Sequence, residues 1–337
     1  MEKRISTSSG DFLIRPYQNG DEQGVLDLWR NSFGRDLDCS LWRWKYLFNP
    51  WGRQIMLCLI EEKEAVVMFA GLPYKAQCMD QECTVTHAVD NMSHPAYRGS
   101  ISGKKGLFVQ TAEVFFRKFA GPDRSAFVYG LPGERHFRLG SLLLGYRQLQ
   151  GGIAYMEAET NALVGKPKLF SGRIETVHAG HAVLDRLVRK LRSQYPFAVV
   201  RDGNFMHWRF AQHPLYNYEI WLHSSFWGKS PKGYAVLRVQ QDQAVIVDML
   251  LDNHKKTAND FWTRLAWQLK DRGIKKLKTW LPGNHFQAGL LKDCGFAEQR
   301  EPLGIVPAAV AENFHPGLDF SWAARNIYYT MADGDLF

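Results

Sequence analysis

One phrase occurs twice in this chain. Leu131-Pro132-Gly133 is followed by His136-Phe137 and Gly145-Tyr146, and Leu281-Pro282-Gly283 by His285-Phe286 and Gly295-Phe296. In both copies the leucine lies 14 residues before the glycine that precedes the closing aromatic. A match held in register at both ends implies two copies of one fold. The length agrees, since 337 residues exceed one ordinary core and suit two domains of about 150 residues each.

Hydrophobic periodicity fills in both halves. In the first, 12–17 reads as a strand, 22–33 as an amphipathic helix, and 55–61, 65–76 and 83–92 as successive strands. A helix at 107–119, a strand at 125–131, a helix at 134–144 and a strand at 146–157 follow. The aromatic-rich stretch 41–51 fits no period, and its Trp42, Trp44, Phe48 and Trp51 suit either an acceptor cleft or a packed lid. Residues 161–180 carry Gly, Pro, Lys and Ser without periodicity and read as a linker. The second half opens with a helix at 182–193, runs through strands at 218–225, 233–240 and 244–251, and continues with a helix at 257–272. A strand at 277–281, a helix at 284–292 and a strand at 326–331 complete it. The reading is an N-terminal domain over 1–160, the linker, and a C-terminal domain over 181–337, each α/β with antiparallel strands preceding helix, strand, helix and strand.

Where the copies differ is where chemistry is expected. Each half has a strand carrying Val-Asp, Val89-Asp90 and Val247-Asp248. From Asp90 to Leu131 is 41 positions and from Asp248 to Leu281 is 33, so the first copy holds eight more. The excess lies in the stretch His94 to Phe108, which contains Gly99, Gly103 and Gly106 with Arg98, Lys104 and Lys105. The second copy has Asp252-Asn253-His254-Lys255-Lys256 there, without glycine. A glycine-bearing turn entering a helix presents unpaired N–H groups to a ligand. The helix dipole and flanking cations then favour phosphate or pyrophosphate.

These residues resemble a GCN5-related N-acetyltransferase (GNAT). The resemblance rests on the strand ending at Asn91-Met92, the following His-Pro-x-Tyr-Arg-Gly and Lys-Gly-Leu-Phe, and the helix closing on Gly145-Tyr146. It covers nearly the whole chain as a tandem pair. It implies two GNAT-like domains, each a mixed, mostly antiparallel sheet flanked by helices, with the second a degenerate copy. The family's acetyl-CoA loop is similar to Arg98-Gly99 at its start and Lys105-Gly106-Leu107 at its end. Here Ser100 to Lys104 is inserted, and Phe108 replaces the last Gly/Ala. The family's usual acid tyrosine, four residues before the closing glycine, is Ser141 here and Leu291 in the second copy.

The implied donor site is Asn91, Met92, Ser93, Arg98, Gly99, Gly103, Lys104, Lys105, Gly106, Leu107 and Phe108, with the backbone at Asn91 to Ser93 polarising the thioester. Transfer to an amine also needs a base and a proton for the leaving thiolate. Asp90 and Glu134 are the candidate carboxylates, with His87 beside them, and Tyr129 is the candidate acid. Asp90 has its counterpart in Asp248 and His136 in His285, which favours structural roles for both. The expected function is acyl-CoA-dependent N-acetyl transfer to an amine on a small molecule, sugar or peptide. A non-catalytic tandem binding protein, or a transferase using aminoacyl-tRNA, are the alternatives.

Composition adds limits. The net charge is +8 with a pI near 9.2, which suits nucleic acid, a membrane surface or a polyanionic ligand. No basic-aromatic nucleic-acid module stands out. No apolar run approaches a membrane span and no signal-peptide core is present, so a cytoplasmic protein is expected. The five cysteines show no metal-ligand spacing.

Overall fold

The computed structural model describes residues 2–98, 103–163, 165, 172–228, 230–312 and 314–335. The first half contains β1 (Lys3–Thr7), β2 (Gly10–Pro16), α1 (Glu22–Phe33), α2 (Cys39–Tyr46), β3 (Gln54–Ile60), β4 (Glu64–Cys78) and β5 (Gln81–Ser93). It continues with α3 (Leu107–Phe119), β6 (Ser125–Gly130), α4 (Glu134–Leu144) and β7 (Tyr146–Gln148). Then come β8 (Ile153–Glu159), α5 (Thr160–Leu163), β9 (Arg173–Val177), α6 (Ala182–Leu191), β10 (Phe197–Val199) and α7 (Gly203–Met206), the last running into a π-helical turn over 207–211. The remainder is β11 (Glu219–Ser224), β12 (Pro231–Gln240), β13 (Gln243–Leu251), α8 (Lys255–Asp271), β14 (Lys276–Pro282), α9 (Phe286–Asp293), β15 (Ala297–Gln299), β16 (Ala308–Val310), α10 (Phe320–Asn326) and β17 (Ile327–Tyr328). No described helix is long and apolar enough to cross a membrane.

The chain divides into two compact units. The first comprises 1–75, 83–148 and 307–320; the second comprises 76–82, 149–306 and 321–337. The first unit's sheet runs β1-β2-β3-β4-β5-β6-β16-β7, with β5 and β6 parallel. The second runs β9-β11-β12-β13-β14-β8-β15, with β13 and β14 parallel and every other neighbour antiparallel. Leaving β1 aside, the two orders correspond strand for strand. Both sheets are mixed and flanked by helices in matching positions.

The sixth strand of each sheet is exchanged. In the first unit it is β16, pairing β6 through Ala308↔Gly130 and β7 through Ala309↔Arg147. In the second it is β8, pairing β14 over Ile153 to Glu159 and β15 over Tyr155 to Glu157. Each exchanged strand follows the seventh strand of the other sheet in sequence. The sequence reading joined 146–157 into one strand and placed 1–160 in the first domain. The pairing instead divides that stretch into β7 and β8, which lie in different sheets. The stretch 161–180 contains α5 and the edge strand β9, which pairs β11 over Arg173 to Val177. The expected strand at 326–331 is only the two residues of β17, preceded by α10.

The helices bury the faces their periodicity implies. α3 turns Val109, Ala112, Phe115 and Phe116 inward, and Phe115 and Phe116 close on Phe69 of β4 at 4.8 and 5.4 Å between ring centroids. Each such side chain contributes about 1.5–3 kcal/mol of burial. In the second unit α8 buries Phe261, Trp262, Leu265 and Leu269 in the same way. The closing phrase has a backbone cause. Gly145 and Gly295 follow the two helices at φ of +67° and +104°, a left-handed geometry that favours glycine.

Candidate functional site

The expected donor loop leaves β5 at Ser93, makes a short 3₁₀ turn over Pro95–Tyr97, and returns through a second over Gly103–Lys105 into α3. Gly103 stands at φ +64°, and the Gly106 N–H donates to its carbonyl at 3.0 Å. Gly99 and Ser100 to Ser102 lie outside the described residues, as does the side chain of Lys104. Gly106 caps α3 without a side chain, and among the described residues no side-chain acceptor meets the first-turn N–H groups. Leu107 is buried, and Phe108 packs 5.7 Å from Phe69. These two residues therefore offer a ligand their backbone N–H groups, while Lys105 is exposed beside them. Arg98 is exposed too, but its guanidinium braces the turn, donating to the Ser93 carbonyl at 3.0 Å and the Ser32 carbonyl at 3.4 Å.

β5 and β6 pair from Thr84↔Ser125 to His87↔Tyr129 and then diverge. Beyond that fork β5 carries Asp90, Asn91, Met92 and Ser93. Asp90 stands at φ +51°, in the left-handed region. The Asn91 Oδ1 accepts from the Ala70 N–H at 3.0 Å, holding this part of β5 against β4. Met92 is buried, and the Ser93 carbonyl also accepts from Ser32 Oγ at 3.2 Å. Tyr129 sits at the fork, buried and stacked on His87 at 5.1 Å between centroids.

The candidate carboxylates part company. Asp90 has a side chain only 4% exposed, and both its oxygens accept from Lys45 Nζ at 3.0 Å, with Tyr46 OH donating to Oδ2 at 2.7 Å. Glu134 is the first residue of α4, with its side chain 66% exposed and Arg138 at 4.0 Å. Asp248, the counterpart of Asp90, is wholly buried. It accepts from Tyr234 OH at 2.6 Å, Thr330 Oγ1 at 2.7 Å and Arg201 at 3.3 Å. The two Val-Asp strands thus repeat one device, a strand aspartate braced by a cation and a tyrosine. The histidines do not repeat. His285 is the N-cap of α9, accepting from the Gln287 N–H at 3.3 Å, whereas His136 lies exposed within the first turn of α4.

Lys45 and Tyr46 went unrecognised as partners of Asp90, although the sequence held a signal. Trp44-Lys45-Tyr46 with Asn49-Pro50 recurs as Trp208-Arg209-Phe210 with His213-Pro214, each six residues after a helix-capping aspartate, Asp38 or Asp202. The aromatic stretch is therefore mostly packed helix. Trp42, Trp44 and Tyr46 are buried, and the exposed large apolar residues of the stretch are Leu47 and Phe48, at 40% and 61%.

The second unit closes the matching fork with its own side chains. β13 and β14 pair only from Gln243 to Val245. Past that point Tyr195 OH donates to the Leu251 carbonyl at 2.8 Å and accepts from the Leu251 N–H at 3.0 Å. Gln287 Nε2 donates to the same carbonyl at 2.8 Å and to Tyr195 OH at 2.7 Å, while Tyr328 OH donates to the Met249 carbonyl at 2.7 Å. Met249 and Leu251 correspond to Asn91 and Ser93. In the first unit the Ser93 carbonyl accepts instead from Ser32 and Arg98, and among the described residues no tyrosine or glutamine side chain bonds the backbone of Asn91 or Ser93.

Solved structures share this architecture. A protein from Enterococcus faecalis described as a probable N-acyltransferase superposes with a TM-score of 0.66 at 14% identity, over 88% of this chain and 72% of its own. GCN5-related N-acetyltransferases from Anabaena variabilis and Kribbella flavida give 0.64 and 0.63 at 15% and 13% identity, over 89% of this chain and 73% and 70% of theirs. The chain has the GNAT fold. N-myristoyltransferase of Saccharomyces cerevisiae, solved with bound myristoyl-CoA, shares the fold more distantly, with a TM-score of 0.55 at 10% identity over 91% of this chain and 84% of its own. No protein-family model and no curated protein matches the sequence. Within the GNAT fold, the fork between β5 and β6 and the start of α3 occupy the place where the sequence reading expected the donor.

Proposed function

We propose that the chain is an acyl-CoA-dependent N-acyltransferase, with acetyl-CoA as the expected donor, and that only its first unit takes the donor. The observation that supports this is a contrast between the forks: in the second, Tyr195, Gln287 and Tyr328 bond the backbone of both Met249 and Leu251, whereas among the described residues of the first the side-chain donors on that stretch are Ser32 and Arg98, both on the Ser93 carbonyl. The first unit's residues fit the donor's chemistry. A pyrophosphate needs main-chain donors and positive potential, which the side-chain-free cap at Gly106 and the exposed Lys105 provide. A pantetheine amide needs strand-edge hydrogen bonds, which the diverging β5 provides at Asn91 to Ser93.

The donor supplies an activated acyl carbon. The backbone of β5 past the fork hydrogen-bonds the thioester arm and polarises its carbonyl. As the carbon–nitrogen bond forms and the carbon–sulfur bond breaks, the amine loses a proton and the thiolate gains one. Tyr129 at the fork is the proposed donor to the thiolate. Glu134, whose carboxylate is exposed, is the proposed route for the amine proton. Asp90, already held by Lys45 and Tyr46, keeps this part of β5 in shape and transfers no proton. The acceptor is an amine on a small molecule, sugar or peptide.

The test is thiol release from acetyl-CoA across a panel of amines, paired with calorimetric binding of CoA. The reading predicts binding, a loss of affinity of about tenfold or more in Lys105→Glu, and slowed release in Tyr129→Phe at unchanged CoA affinity. A second reading is favoured by the burial of both Asp90 and Tyr129, which suits a binding protein without turnover. CoA binding with no release from any amine would establish it instead.

A further inference from the structure

The hairpin joining β11 and β12 ends in two aromatic residues. The Gly228 N–H donates to the Ser225 carbonyl at 2.7 Å, forming a β-turn with Phe226 and Trp227 at its two corners. The Ser225 N–H donates to the Ser230 carbonyl at 2.8 Å and the Ser230 N–H to Ser225 Oγ at 3.1 Å, so the turn is firmly built. Such corners ordinarily hold Gly, Pro, Asn, Asp or Ser, which adopt turn dihedrals readily or hydrogen-bond the nearby backbone. Trp227 is instead 78% exposed, the highest value of any large apolar side chain described, and Phe226 packs edge-on against it at 5.2 Å.

Cations surround this tip from three directions. Lys190 of α6 donates to the Pro231 carbonyl at 2.9 Å and reaches Ser230 Oγ at 3.4 Å, which fixes the C-terminal end of α6 beside the hairpin. Arg186 lies one helical turn back on the same exposed stripe. Arg173 of β9 brings its guanidinium beside Gly228, within 3.6 Å of where a Cβ there would stand. Lys232 opens β12. Of the acids on these elements, Asp185 accepts from the Gly203 N–H, and Glu175 is exposed two residues along β9 from Arg173, farther from the turn. The hairpin segment 225–232 contains no acidic residue.

We infer that the β11–β12 hairpin tip, Phe226 and Trp227 within the ring Arg173, Arg186, Lys190 and Lys232, docks the protein on an anionic lipid surface. A tryptophan on a rigid turn inserts at the level of lipid headgroups, and the cations meet lipid phosphate and carboxylate around it. A polyanion alone would account for the cations but leave two aromatic side chains at turn corners without a use. The inference is independent of the acyl-transfer proposal.

Co-sedimentation of the full chain with vesicles tests it. Vesicles of phosphatidylcholine containing about a third phosphatidylserine should bind the protein, and pure phosphatidylcholine should bind it far less. Trp227→Ala, an exposed change that leaves the fold intact, should weaken binding by about tenfold, and Lys190→Glu with Arg186→Glu by at least as much. Partition into the anionic vesicles should fall with added salt. Absence of binding to the anionic vesicles would overturn the inference. So would binding that responds to the charge reversals but not to Trp227→Ala, which would identify the patch as a plain polyanion site.

Discussion

Replacing Asp90 by asparagine separates bracing from catalysis. The substitution keeps the shape and tolerates φ of +51°, since asparagine is at ease in that region. It can still accept from Tyr46. What it removes is the charge facing Lys45, whose ammonium lies 3.0 Å from both carboxylate oxygens with a side chain only 3% exposed. An ammonium left buried beside a neutral amide costs about 3–5 kcal/mol. At about 2–4 °C per kcal/mol for a domain of this size, that is a fall in melting temperature of about 6–20 °C. Adding Lys45→Met removes the stranded charge and should recover a large part of the loss, so the two changes couple strongly in a double-mutant cycle. The assays are thermal and urea unfolding of the four proteins, with CoA affinity measured below the transition. A loss under about 1 kcal/mol for Asp90→Asn, with acyl transfer abolished and CoA binding intact, would refute the reasoning and make Asp90 the base.

Other expectations concern the second unit and the helix closures. His285 is only half-buried as a residue, but its Nε2 is enclosed without a partner, and burial pushes the imidazole down to about 3. Its folded value lies below the unfolded 6.5, so the stability it confers is complete above pH 6.5 and is lost as pH falls toward 3. Urea midpoints should therefore show a loss of about 2 kcal/mol between pH 7 and pH 5 that His285→Asn, which preserves the helix cap, does not show. Tyr195→Phe strips the hydroxyl that serves both backbone groups of Leu251 and should cost about 1–3 kcal/mol in unfolding measurements. Gly140→Ala would drive a methyl into the Tyr146 ring and should lower the melting temperature by an amount corresponding to about 1–3 kcal/mol.

The sequence carried α1, α3 and α4 to the residue, because each pairs an amphipathic period with a clear stop, such as Gly34 after α1 and Gly145 after α4. It carried the long hairpin strands nearly as well. The exchange of β8 and β16 was out of reach, since both strands have the same local character whichever sheet receives them. Short elements such as β10, β16 and α7 were lost because three or four residues hold no period. At the candidate site, the loop before α3 was legible as an excess over the second copy. The tyrosine and glutamine closing the second fork were not, because Tyr195, Gln287 and Tyr328 are distant in sequence and meet only in the fold. The role of Asp90 could be inferred from Asp248, but its partner Lys45 required the position of α2.

The central claim is one donor site per chain, at the start of α3. Calorimetric titration of the full chain with CoA measures it directly. The account predicts a single site, weakened by about tenfold or more in Gly106→Asp even though aspartate is a good helix cap and should not destabilise α3. Two sites per chain, no binding at all, or an affinity unchanged by Gly106→Asp would contradict it.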